Sequence, residues 1–96
     1  MKPQEWSGTY RFDGMMYATR GITCNISYED FQYIIDTIKQ YVKKHDGADY
    51  IFVFENEYLG GKIFVIDNLN DDMKLNGDAD YISENNYYTI MFADEY

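Results

Sequence analysis

Between Ser27 and Gly47 the apolar residues recur at helical spacing: Phe31, Ile34, Ile35, Ile38 and Val42 fall on one face. This run constrains the fold more than any other feature. A helix with a single apolar stripe must lay that stripe on another element. Its limits are written in the sequence. Ser27 is a good N-cap, and Asp30 three residues later gives a capping-box-like arrangement. Lys43, Lys44 and His45 suit the negative end of the helix dipole, and Gly47 is a natural stop. The spacing predicts a helix from about Tyr28 to Lys44.

The remaining apolar segments read as strands. "GITCNI" (21–26) alternates, with Ile22, Cys24 and Ile26 on one face. "YIFVFE" (50–55) is apolar on both faces, which suits a central strand, and "KIFVID" (62–67) is similar. Leu59-Gly60-Gly61 between them reads as a hairpin turn, so these two are expected to be antiparallel. "YYTIMF" (87–92) is a last strong strand, and a short one is expected around Met15 to Thr19. Tyr33 and Tyr50 are expected in the core. The fold class is therefore α+β: one amphipathic helix packed on an antiparallel sheet of about four to five strands, in a single domain over residues 1–96.

Charge is unevenly spread. Residues 1–48 hold six acids and six bases, whereas residues 49–96 hold eleven acids against Lys62 and Lys74 and carry the whole net charge of −9. Such a chain lacks the basic patch needed to grip a phosphate backbone, so direct nucleic-acid binding is not expected. An anionic membrane surface is disfavoured for the same reason, and a basic protein partner is favoured. "MKPQEWSGTYRF" has no apolar run of signal-peptide length, and no segment approaches the ~20 apolar residues needed to span a bilayer. Cys24 is the lone cysteine, so no internal disulfide staples the chain. The expectation is a cytoplasmic protein.

The charge concentrates in "NLNDDMKLNGDADYISENN" (68–86), with five carboxylates and one lysine between two apolar strands. Asn76-Gly77 is the strongest hairpin signal in the chain, so an exposed acidic β-ribbon is expected here. Asp71, Asp72, Asp78, Asp80 and Glu84 are the candidate partner-binding residues, with Tyr81 as an apolar anchor. Several tyrosines, among them Tyr58, Tyr87 and Tyr96, also flank acids in this half. A domain of this length is about 30 Å across and duplex DNA carries about 18 charges over that length, so −9 gives only partial DNA mimicry. The plainer alternative is a ribbon that keeps the protein soluble and blunts a sheet edge.

No catalytic constellation emerges, and no cofactor is implied. His45 is the sole histidine and suits helix capping, and Cys24 reads as a small buried apolar side chain. One Cys and one His fall short of a zinc site. No register of the acidic stretch satisfies the EF-hand loop, although Asp78, Asp80 and Glu84 would suit a loose cation site. Gly60-Gly61-Lys62 lacks the spacing of a phosphate loop. Glu55 and Glu57 share a strand face but have no nucleophile nearby.

"MMYATRGI" before the helix, then "KIFVID" and a terminal "TIMFADEY", resemble the domain-of-unknown-function family nine-hundred-and-sixty. These are small proteins of Gram-positive bacteria and their phages. The resemblance covers most of the chain in order, with a longer connection at 68–86. No catalytic residue comes with it. What it implies is the company of phages and mobile elements, in which small acidic proteins block host defences. The expectation is a non-enzymatic inhibitor of a CRISPR effector nuclease in the host bacterial cell, acting on a basic nucleic-acid-binding surface. The alternative is a small cytoplasmic interaction protein whose acidic loop only solvates.

Overall fold

The computed structural model describes residues 8–56 and 61–96. The long helix forms as expected. It is α2, Tyr28–His45; the Ser27 side chain accepts from Asp30 N, and Lys43, Lys44 and His45 fill its last turn. The stop falls one residue early: Asp46 takes the left-handed conformation, and Gly47 N donates to Val42 O. Gly47 itself has φ +128, a region an L side chain seldom adopts. Ile34, Ile35 and Ile38 are buried, with Phe31 and Val42 packed beside them. Each buried isoleucine contributes about 1.5–3 kcal/mol relative to leaving it in water.

That stripe lies on a four-stranded sheet: β1 (Met15–Ala18), β2 (Ile51–Asn56), β3 (Gly61–Asp67) and β4 (Tyr87–Phe92), in the order β1-β4-β3-β2. β2 pairs antiparallel with β3, and β3 with β4. The expected hairpin is present, but its turn at Leu59-Gly60 lies outside the described residues, as do Glu57 and Tyr58. The sheet is mixed rather than antiparallel, because β1 runs parallel to β4 with Met15 opposite Tyr87. β2 is an edge strand, not a central one. Its apolar residues still alternate in burial: Phe52 and Phe54 face the helix, while Ile51 and Val53 do not. Phe52, Phe54, Ile63, Val65, Tyr88 and Ile90 form one core with the helix. The expected core tyrosines are misplaced. Tyr33 and Tyr50 are more than 40% exposed, and Tyr88 is buried instead.

Residues 21–26 are not a strand. Residues 21–25 lie in α1, Arg20–Asn25, capped by the Thr19 side chain, and Ile26 is its C-cap. Ile22 and Ile26 share a face in either reading, by period two or by an i,i+4 step. Cys24 decides between them. It would face the core in a strand; in the helix it turns outward, and it is exposed. The C-terminal residues brace this helix. Glu95, in a 3₁₀ turn at Ala93–Glu95, accepts from Thr19 Oγ1 at 2.9 Å and from Phe92 N at 3.0 Å.

The acidic stretch holds two short helices, α3 (Asp71–Asn76) and α4 (Ala79–Asn85), in place of the expected ribbon. Two caps override the Asn-Gly signal. Asn70 accepts from Met73 N, and Asp78 accepts from Tyr81 N. Gly77 ends α3 with an ordinary φ of −87. A Cβ there would stand 2.6 Å from the Tyr81 ring, so the glycine makes room for a side chain.

Candidate functional site

The α3–α4 pair closes the end of the sheet where β3 stops and β4 starts. It is tied to the N-terminal segment. Asn70 bridges Tyr10, and Asp71 N donates to Thr9 O at 3.0 Å. Leu69, 1% exposed, is buried at the root of the pair.

The candidate residues divide by what they touch. Asp71 is committed inside the fold. Arg11 Nη2 donates to its carboxylate at 2.8 Å and Nε at 3.1 Å, while Nη1 reaches Asp46. Hydrogen bonding from Arg11 holds the Asp71 carboxyl below the usual range. The same bonds, Asp71 first and Asp46 second, push the guanidinium pKa up. Asp78 is the N-cap of α4 and stays exposed. Asp72, Asp80 and Glu84 are exposed and form no ion pair among the described residues. Lys74, the one base of the stretch, is drawn to Asp13 at 2.7 Å. Its charge is therefore spent inward, and the outer surface stays negative. Asp78 and Asp80 do not lie on a ribbon strand. They occupy the cap and first turn of a helix, where negative charge is itself favourable.

The sequence reading of this stretch took Tyr81 as its apolar anchor and passed over Met73 and Leu75. Leu75 is 84% exposed, and Met73 and Tyr81 are each about 40% exposed. Met73, Asn76, Gly77, Asp78 and Tyr81 line a shallow open groove between the two helices. The face is thus apolar along the groove with carboxylates around it. Arg11 was also missed; an arginine sixty residues from its partner gives no local signal. Among the described residues no three of His, Cys, Asp and Glu come together to hold a metal, so Asp78, Asp80 and Glu84 do not assemble a cation site.

A second concavity of about 630 Å³ lies at the other end of the sheet, lined by Gly21, Asn25, Lys62, Phe92, Asp94 and Glu95 among others. Its lining holds no nucleophile–base pair, and Glu95 is occupied by Thr19 and Phe92. His45 packs against Tyr41 with ring centroids 4.3 Å apart and planes tilted by 36°, at the exposed end of α2. Among the described residues no helix is long and apolar enough to cross a membrane. Comparison with models of known protein families, with curated proteins and with solved structures finds no match.

Proposed function

We propose that this chain is a non-enzymatic binding protein whose α3–α4 face occupies a basic, nucleic-acid-binding surface on a protein partner. The observation that carries this reading is the sorting of charge at that face. The local bases Arg11 and Lys74 are consumed by Asp71, Asp46 and Asp13, which leaves Asp72, Asp78, Asp80 and Glu84 outward around exposed Met73, Leu75 and Tyr81. Desolvated apolar contact would supply affinity. The carboxylates would steer a Lys- or Arg-lined surface into place and exclude other partners.

The resemblance to family nine-hundred-and-sixty narrows the partner. In this reading the protein is an inhibitor encoded by a phage or mobile element, and the partner is a CRISPR effector nuclease in the host bacterial cell. The test is binding and DNA cleavage across a panel of guide-loaded CRISPR nucleases at low and high salt. Tight binding that weakens with salt and blocks cleavage is expected. The triple variant Asp72→Lys, Asp80→Lys, Glu84→Lys should lose it. Unchanged inhibition by that variant would remove the acidic face from the reading. No binding to any nuclease would remove the nuclease.

A further inference from the structure

The sheet has two faces, and the described residues cover one. Strand alternation puts Tyr17, Ile51, Val53, Phe64, Ile66 and Met91 on the face away from α2. None of them is buried, and none packs against the core cluster. The molecule is 20 Å through its thinnest direction, which is one helix layer on one sheet layer. Tyr17 and Tyr87 meet edge-on at 5.3 Å on the open face, and Tyr96 reaches Phe64 at its rim while staying 76% exposed. A solvated sheet face normally alternates to polar residues, whereas this one carries mostly aliphatic, methionine and aromatic side chains.

Two observations choose the occupant. One is area. Four strands about 4.8 Å apart and roughly five residues long present a face of roughly 300 Å², against about 800 Å² per partner in a standard stable interface. That footprint suits one helix, about 10 Å wide and ~20 Å long, and is under half of what each copy buries in a stable dimer. The other is charge. Asp72, Asp78, Asp80 and Glu84 stand beyond one end of the sheet, and Glu55, Asp94 and Glu95 outnumber Lys62 and Arg20 at the other. Two chains of net charge −9 repel each other, and a basic partner is drawn in. The sheet already takes a helix with one apolar stripe on its inner face.

We infer that the outer sheet face is a docking site for one amphipathic helix with basic flanks, contributed by a protein partner. The completed arrangement is helix, sheet, helix. The apolar residues of this face lie outside the α3–α4 groove, and only the carboxylates Asp72, Asp78, Asp80 and Glu84 enter both readings, so substitutions at Phe64 and Met91 test this face apart from that one.

The probe is a synthetic peptide of about 14 residues, ~21 Å of helix, with leucine at i, i+3, i+4 and i+7 and lysine elsewhere. Its controls are a scrambled peptide of the same composition and a leucine–glutamate analogue. Binding is read by fluorescence anisotropy and mapped by amide chemical-shift perturbation on the wild-type protein. We expect binding of the basic periodic peptide alone, with perturbations centred on Val53, Phe64, Ile66 and Met91. Phe64→Thr with Met91→Thr should weaken binding at least tenfold; the wild-type map decides the question if that variant unfolds. Perturbations confined to α3–α4, equal binding of the scrambled peptide, no binding, or a dimer at micromolar concentration by sedimentation would each overturn the proposal. The last result would assign the face to a second copy.

Discussion

Phe12 donates its backbone N–H to the buried carboxylate of Asp67 at 3.0 Å, from a left-handed conformation with φ +52. A phenylalanine seldom adopts that region, at a cost of about 1–3 kcal/mol. Here the ring is locked between Phe52 and Tyr88, at 5.1 and 5.8 Å, and the amide is locked by Asp67. Asp67 also accepts from Asn68 N at 2.9 Å.

Burial raises the Asp67 pKa, and the bond from Phe12 only partly offsets this. The folded state therefore holds its proton more tightly than the unfolded chain. This contribution grows as pH falls through the window between the raised value and the ordinary carboxylate value, and it shrinks as pH rises through it. Asp67→Asn removes the titration and turns one amide donor toward another, at a cost of about 1–3 kcal/mol. Urea unfolding of both proteins from about pH 4 to pH 7 should show the gap between them widening toward the acid end. A constant gap would remove the titrating group from the account. Asp71 works in the opposite sense. Its lowered pKa contributes stability above the ordinary carboxylate value, lost as pH falls through the lowered one.

Gly77→Ala tests the packing inside the groove. The new Cβ would press on the Tyr81 ring at 2.6 Å and on Met73 O at 3.0 Å. With φ at −87 the backbone is unstrained, so the cost is one displaced side chain, roughly 1 kcal/mol. Tyr81 should move further into solvent, read as a change in its ring proton shifts with α2 unaffected. A loss several times larger would mean that the turn needs glycine for its backbone.

Cys24 is exposed on α1, and so one thiol per chain should react with a chromogenic disulfide reagent in the folded protein, without denaturant. A thiol that reacts only after unfolding would restore the buried strand position read from the alternation.

Phe54 and Phe64 sit on adjacent strands and opposite faces. Phe54 is fully buried, so Phe54→Ala should cost about 3–5 kcal/mol. Phe64 is partly exposed, and Phe64→Ala should cost less than half as much. Equal losses in chemical denaturation would mean that the outer face is covered.

The long helix was legible because cap, stripe and stop agree within one stretch of chain. The strands at 51–56, 61–67 and 87–92 were legible as runs, but their order was not. Nothing local says that β4 sits between β3 and β1, or that "IFVF" lies at an edge. α1 was misread because a period of two and an i,i+4 step bring Ile22 and Ile26 to the same side. In the acidic stretch Asn76-Gly77 outweighed two caps, Asn70 and Asp78, each of which bonds three residues ahead. The carboxylates of the candidate site were visible as composition. The loss of Asp71 to Arg11 was not, since it depends on where the N-terminal segment runs.

The parallel pairing of Met15 with Tyr87 sets the order in which the sheet can be assembled. β2 and β3 are close in sequence and can zip first. β1 has no strand to join until β4 arrives from the far end of the chain, so both edges of the early hairpin stay open meanwhile. Closure then joins three pieces, the hairpin, β4 and β1, and such distant pairing slows folding and leaves strands open to misassociation. The edge strand β1, first in the chain, is the last to find its place in the sheet.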